Sequence, residues 1–178
     1  DETYIEYVGS EHSLERFAVT TDNIVVCKSM SKVYALSGLR VGYMCGPLQI
    51  IESLRALTPP WNVGLLSQIA AVKALEDPDY YQARYQQTHE LRFKLSTDLM
   101  GMANVDVIDG FANFLLCEIP STGPVTTELI EKCRRDGLYI RNVATTSPRL
   151  GERMFRVAVK DEETNNRIAS ILADSINN

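Results

Sequence analysis

The spacing of apolar and polar positions differs between the two parts of the chain. In the first part, apolar residues recur at helical spacing over long stretches. A continuous apolar run over residues 23–27 predicts a strand buried in a sheet. A second short strand is predicted over residues 39–45, between two glycines. Pro47, Leu65 and Asp79 each begin a stretch of helical spacing. The predicted helices are residues 47–56, 65–75 and 79–102.

Beyond Ala103 the pattern changes to short apolar runs that alternate with amphipathic stretches. Gly137 follows the helical stretch at 126–135, as expected of a glycine that ends a helix. The predicted strands are residues 105–108, 114–119, 138–141 and 154–159, and a final helix is predicted over residues 161–176. We therefore expect an α/β fold, with part of a mostly parallel sheet in residues 1–78. A connecting helix and a small α+β domain are expected in residues 79–178.

Composition narrows the class of protein. The chain has 178 residues, of which 45% are hydrophobic and 23% are charged, as in ordinary globular proteins. The net charge of −5 and the lack of a basic block argue against a nucleic-acid partner. No apolar run approaches the roughly 20 residues that span a bilayer, so we expect no membrane partner. The start shows no signal-peptide pattern, and the four scattered cysteines favour buried, reduced thiols in the cytoplasm over disulfides or a metal site.

The most informative segment is SMSKVYALSGLRVGY, residues 29–43. The amine of Lys32 can condense with an aldehyde. The hydroxyls of Ser29 and Ser31 can donate to a phosphate, and the planar guanidinium of Arg40 can bind that phosphate through two donors. An aldehyde and a phosphate on one small molecule describe pyridoxal 5′-phosphate (PLP).

A lone Ser-x-x-Lys is more often an ordinary surface lysine, but the longer pattern with its glycines favours a cofactor site. Ser-x-Ser-Lys followed by Leu-x-Gly-Leu-Arg-x-Gly-Tyr resembles the cofactor-lysine segment of fold-type I PLP-dependent aminotransferases of class I/II. The resemblance is to the branch with histidinol-phosphate aminotransferase and threonine-phosphate decarboxylase. It implies part of the PLP-binding large domain, followed by the small C-terminal domain. It also implies that Lys32 bonds the cofactor and moves the substrate α-proton, while Ser29, Ser31 and Arg40 hold the phosphate.

PLP catalysis also needs a carboxylate that keeps the ring nitrogen protonated and a donor to the phenolic oxygen of the ring. The first residues, Asp1 to Tyr7, are similar to the Asp-Glu-x-Tyr-Ile-x-Phe stretch of the family. By this resemblance Asp1 pairs with the pyridinium and Tyr4 donates to the ring oxygen. On spacing alone, a frayed acidic terminus would be the better interpretation.

A second group of candidates is cationic and lies near the C-terminus. A bidentate arginine suits a substrate carboxylate or a phosphate ester. The segments around Arg156 and Arg141 resemble the family segments with substrate-binding arginines, which implies an α-carboxylate ligand for Arg156 and a second anion site at Arg141. Arg149 and Arg153 are expected to be solvated loop charges.

The resemblance covers almost the whole chain but only about the C-terminal half of the family. We therefore expect the chain to be a fragment of a longer enzyme and to be inactive alone. The predicted parent is an aminotransferase of a small, possibly phosphorylated, amino acid or amine, and family enzymes act as homodimers. Two alternatives stay open. One is a lyase like threonine-phosphate decarboxylase, an alternative that the presence of Trp61 slightly favours. The other is a non-catalytic anion-binding or dimerisation module.

Overall fold

The computed structural model describes residues 1–177 and divides into two compact units, Asp1–Tyr85 and Gln86–Asn178. The division falls inside a long helix, a few residues beyond the boundary after residue 78 that the sequence suggested. Each unit has its own buried core, so each is described separately.

The first unit is built on two short strands and, among the described residues, four α-helical segments. The strands pair antiparallel, with Lys28 opposite Tyr43 and Ser29 opposite Gly42. The connection between them holds only turns and a 3₁₀ helix, Ser37–Leu39, which is too little for the crossover that parallel strands need. This pair is therefore antiparallel, in a unit that was expected to hold part of a mostly parallel sheet. The elements are α1 (Glu15–Ala18), β1 (Val26–Ser29), β2 (Gly42–Cys45), α2 (Leu48–Leu57), α3 (Leu65–Leu75) and the first turns of α4 (Pro78–Met102).

The two strands approach each other closely at Gly42. A Cβ at this position would lie 2.6 Å from the backbone oxygen of Lys28, so no other residue fits without moving β1. The next backbone bond, from Met30 N to Val41 O at 3.1 Å, continues the pairing beyond the strand end. The end of β1 and the approach to β2 are thereby held together.

Two small apolar clusters support this strand pair. Met30 and Val41 pack with Ala71 and Ala74 of α3. A second cluster joins Tyr7, Val33 and Tyr85, with the Tyr7 and Tyr85 rings edge to face at 5.2 Å between centroids. The N-terminal segment is thus packed in the unit through Tyr7.

The second unit is a four-stranded antiparallel sheet packed against helices. The elements are β3 (Asp106–Ile108), β4 (Phe114–Glu118), α5 (Thr126–Arg135), β5 (Arg141–Asn142), β6 (Met154–Ala158) and α6 (Glu162–Asn177), besides the later turns of α4. The strand order is β3-β4-β6-β5. Phe155 and Val157 of β6 point into the core with Leu115 and Cys117 of β4, so Arg156 lies on the opposite face.

Within residues 1–177, no helix is long and apolar enough to cross a membrane. Thiol burial differs from the expectation at two positions: Cys117 and Cys133 are buried, Cys45 is half-buried and Cys27 is exposed.

Candidate functional site

Ser29, Ser31 and Arg40 lie together where β1 ends and the chain turns toward β2; we call these three residues the serine–arginine corner. Arg40 Nη1 donates to Ser37 O at 2.9 Å and to Ser31 Oγ at 3.4 Å. The backbone N–H of Ser31 donates to Ser29 Oγ at 3.3 Å. In the part of the chain that the structure describes, no carboxylate pairs with Arg40. A cation beside two hydroxyls suits a small anion.

The backbone at Arg40 is left-handed, with φ 51° and ψ 44°. This region is costly for a residue with a Cβ, and such residues cluster at functional sites. The conformation follows the short 3₁₀ helix and places the guanidinium against Ser31. Because other interactions must offset this backbone strain, the left-handed conformation marks Arg40 as a candidate functional residue.

The corner opens onto a cavity of about 790 Å³ in the first unit. Asp1 also lines this cavity. Its Oδ1 accepts from the backbone N–H of Thr3 at 2.9 Å and from Thr3 Oγ1 at 2.6 Å, so the carboxylate is held in a defined orientation. The lining residues are Asp1, Thr3, Cys27, Lys28, Ser29, Ser31, Arg40, Val41, Gly42, Tyr43, Met44, Ile51, Leu54, Arg55, Thr58 and Asn62.

Two predicted residues lie outside that lining. Lys32 is exposed, in the turn directly after Ser31, and does not line the cavity in this structure. Tyr4 is half-buried and borders a separate recess that it shares with Asp1 and Val8. The structure thus brings Asp1, Ser29, Ser31 and Arg40 to one cavity but leaves the Lys32 and Tyr4 side chains off it.

Lys28 is a buried lysine that the sequence analysis missed. Its Nζ lies 3.1 Å from Glu6 Oε1, 3.3 Å from Glu15 Oε1 and 3.6 Å from Glu2 Oε2; we call these four residues the Lys28 cluster. Two features of the sequence could have indicated this buried lysine. Lys28 directly follows the apolar run of residues 23–27, and two glutamates lie four residues apart near the N-terminus. A fully paired buried lysine of this kind is costly to unpair.

The cluster changes the pKa of its members. Burial lowers the pKa of Lys28, but the carboxylates of Glu6 and Glu15 outweigh burial and raise that pKa above 10.5. Burial raises the pKa of Glu2, yet the Leu14 backbone N–H, the Ser13 hydroxyl and Lys28 together bring it below 4.5. Burial and a hydrogen bond to Glu15 raise the pKa of Tyr43, which lies opposite Lys28 on β2. Lys28 and Glu2 are therefore both charged across the neutral range.

In the second unit, Arg141 and Arg156 are direct partners across β5 and β6, so their side chains leave the same face of the sheet. Like charges in this position repel each other. Among residues 1–177 neither guanidinium is paired with a carboxylate. The guanidinium of Arg156 lies 4.6 Å from the ring centroid of Phe114, which steadies it by a cation–π contact.

The two other arginines differ from each other. Arg149 is exposed, as expected of a solvated charge. Arg153 instead donates from Nη1 to Gly123 O at 2.7 Å and to Pro120 O at 3.0 Å. The expectation of a solvated Arg153 is wrong, because this side chain satisfies carbonyl groups of the loop before α5.

Comparison with known proteins identifies the class. The family "Aminotransferase class I and II" matches residues 1–172, and the chain belongs to this family. Enzymes of the family depend on PLP. The predicted family and α/β fold class are confirmed.

A curated relative is the histidinol-phosphate aminotransferase of Methanothermobacter thermautotrophicus, 29% identical over 99% of this chain and 46% of its own length. The histidinol-phosphate aminotransferase structure from Clostridium acetobutylicum matches with a TM-score of 0.89 at 24% identity, over 98% of this chain and 52% of that one. The L-threonine-O-3-phosphate decarboxylase structure from Porphyromonas gingivalis matches with a TM-score of 0.77 at 21% identity, over 90% and 49%. The chain thus spans about half the length of these proteins, and the structural matches show the fold.

The Lys28 cluster predicts how the stability of the first unit depends on pH. The pKa of Glu2 is lowered on folding, so its contribution is present above pH 4.5 and is lost as the pH falls through the lowered value. The pKa of Lys28 is raised, so its contribution is present below pH 10.5 and is lost as the pH rises through the raised value. We expect thermal stability, followed by near-ultraviolet circular dichroism of the tyrosines, to be highest between these limits.

The variant Glu2→Gln tests the acid side of this profile. It should cost about 2 kcal/mol at pH 7 and should flatten the loss of stability below pH 4.5, because the charged acceptor for Ser13 and Leu14 is gone. Glu11→Gln changes an exposed carboxylate and serves as the control, with an expected effect of less than about 0.5 kcal/mol. An unchanged acid slope in Glu2→Gln would contradict the assignment.

Proposed function

We propose that this chain forms part of a PLP-dependent aminotransferase acting on a small, phosphorylated amino compound, with Lys32 as the covalent attachment point of the cofactor. The observation that carries this proposal is the convergence of Asp1 and the serine–arginine corner on one cavity, with Lys32 next in sequence to Ser31. The family match supports the same chemistry.

The residues present fit the cofactor. A guanidinium that meets no carboxylate among residues 1–177 forms, with two hydroxyls, a donor set for a phosphate, and the oriented Asp1 carboxylate suits a protonated ring nitrogen. When bound, PLP supplies a ring that accepts negative charge from the substrate Cα.

Each protein group then has one role. Ser29, Ser31 and Arg40 would bind the phosphate, and Asp1 would hold a proton on the ring nitrogen. Tyr4 would donate to the ring oxygen. The Lys32 amine would take a proton from the substrate Cα and return it during transfer of the amino group.

Arg141 and Arg156 are proposed to bind the anionic groups of the substrate. Their direct opposition on neighbouring strands concentrates positive charge, which a carboxylate or phosphate would neutralise. The relatives named histidinol-phosphate aminotransferases support a phosphorylated substrate. The cation–π contact with Phe114 would hold the Arg156 guanidinium in place for this anion.

We predict that PLP labels Lys32 selectively. After incubation with PLP and reduction with borohydride, peptide mass spectrometry should show a pyridoxyl group on Lys32 at PLP concentrations about tenfold lower than on Lys73, because bound phosphate raises the local aldehyde concentration. Lys73 is an exposed lysine that pairs with Glu76 and serves as the internal control. Arg40→Ala should remove the selectivity. Equal labelling of both lysines in the unaltered chain would contradict the proposal and favour a non-catalytic module.

We predict that Arg141 and Arg156 contribute to substrate binding but not to PLP binding. Titration calorimetry with L-histidinol phosphate should show that Arg156→Ala and Arg141→Ala each weaken binding about 10-fold or more, the usual loss for a charge-assisted bond. Neither change should alter PLP labelling of Lys32. Arg149→Ala removes an exposed loop arginine and should leave both measurements unchanged. If Arg156→Ala and Arg40→Ala reduced PLP labelling equally, the division of roles would be wrong.

We also propose that the complete enzyme is a homodimer that uses the outer face of α3. Leu65, Leu66 and Ile69 of this helix are 50–78% exposed, while Ala71 and Ala74 face the core of the unit. A helix that is apolar on both sides normally packs on both sides.

Sedimentation equilibrium tests the dimer. We expect Leu66→Asp to weaken self-association at least tenfold, because a charge would be buried in an apolar contact. Phe93→Asp introduces the same charge at an equally exposed apolar position outside α3 and should have little effect. A protein that is monomeric at all concentrations, or equal effects of both changes, would exclude this surface.

A further inference from the structure

We propose that Lys28 is a positioning residue, which fixes the N-terminal segment of residues 1–7 against β1 and so keeps Asp1 on the cofactor cavity. This inference rests on the proposed function for the role of Asp1. The anchoring itself concerns only the Lys28 cluster and can be tested without cofactor.

The contacts that hold the segment converge on one ammonium group. Two of its three carboxylate partners, Glu2 and Glu6, belong to the segment, and the third, Glu15, lies on α1. Glu2 adds further bonds, from Ser13 Oγ at 2.7 Å and from the Leu14 backbone N–H at 2.8 Å. A segment without strand pairing is thus tied to two neighbouring elements through buried charges.

Backbone geometry transmits this anchoring to Asp1. The N–H of Glu2 donates to Cys27 O at 2.9 Å, directly before Lys28 in β1. Asp1 is therefore one residue from a position bonded both to the strand and to the Lys28 ammonium. The two bonds from Thr3 then orient the Asp1 carboxylate.

The charge balance makes Lys28 hard to replace. Three carboxylates share one ammonium, and Glu6 Oε2 is buried with no hydrogen-bond partner among the described residues. Without the ammonium, the carboxylates would repel one another in a site with little water. The segment would then move away from β1 and take Asp1 with it.

The first experiment measures the anchoring in the cofactor-free protein. Hydrogen–deuterium exchange of residues 1–8 should be about tenfold faster in Lys28→Met than in the unaltered chain, with no change in residues 86–177. Lys28→Arg keeps the charge and should restore slow exchange. Lys73→Met removes a surface lysine and serves as the control. Unchanged exchange in Lys28→Met would overturn the proposal.

The second experiment asks whether the anchoring acts through Asp1. The PLP labelling selectivity for Lys32 over Lys73 should fall about tenfold in Lys28→Met and should fall in Asp1→Asn. Lys28→Met should cause no further loss in the Asp1→Asn background, because both changes remove the same interaction. Fully additive effects would show a general structural role and overturn the positioning role.

The two experiments separate the possible failures. If the unaltered chain shows no selectivity for Lys32, the proposed function is wrong, while the exchange measurement still decides the anchoring role of Lys28. If circular dichroism shows that Lys28→Met does not fold, Glu6→Gln carries the same test, because it removes one of the two anchors of the segment and keeps the ammonium paired with Glu2 and Glu15. Glu6→Gln should then speed exchange of residues 1–8, and an unchanged rate would overturn the proposal.

Discussion

The close pairing of β1 with β2 is the constraint on which the candidate cofactor site depends. The register places Ser29 opposite Gly42, and the missing side chain of Gly42 lets the strands approach where any Cβ would meet the backbone of Lys28. Ser31 and Lys32 follow the end of β1, and Arg40 precedes the start of β2. Residues eight or more positions apart are therefore brought to one corner by a few backbone hydrogen bonds.

Opposite charge distributions characterise the buried and open parts of this unit. Within the Lys28 cluster, acidic groups outnumber the single ammonium and are held by burial and hydrogen bonds. At the serine–arginine corner, a guanidinium has hydroxyl and carbonyl partners but no carboxylate within the described chain. The first arrangement stabilises a segment of the protein, because three carboxylates lie within ion-pair distance of the same ammonium. The second leaves positive charge for an external anion, as a binding site requires.

The second unit contains a similar excess of positive charge on a rigid support. Arg141 and Arg156 are opposed on one face of an antiparallel sheet whose other face is packed with Phe155 and Val157. The sheet fixes the backbone of both arginines, and Phe114 restrains one guanidinium. Repulsion between the two would destabilise this edge of the sheet in the absence of an anion. The proposed substrate, an amino compound with an anionic group, would supply such an anion.

Sequence by itself determined the family, every α-helix named above except the short α1, and most strands, because these follow from local periodicity and from the compact motif around Lys32. It also indicated Ser29, Ser31 and Arg40, since all three lie in that motif. Only the tertiary structure decided the antiparallel pairing of β1 with β2, the carbonyl contacts of Arg153 and the burial of Lys28. Each of these depends on groups distant in sequence: Lys28 meets Glu15 and Glu6 across 13 and 22 positions. The charge of a lysine favours water, and only three converging carboxylates make its burial possible.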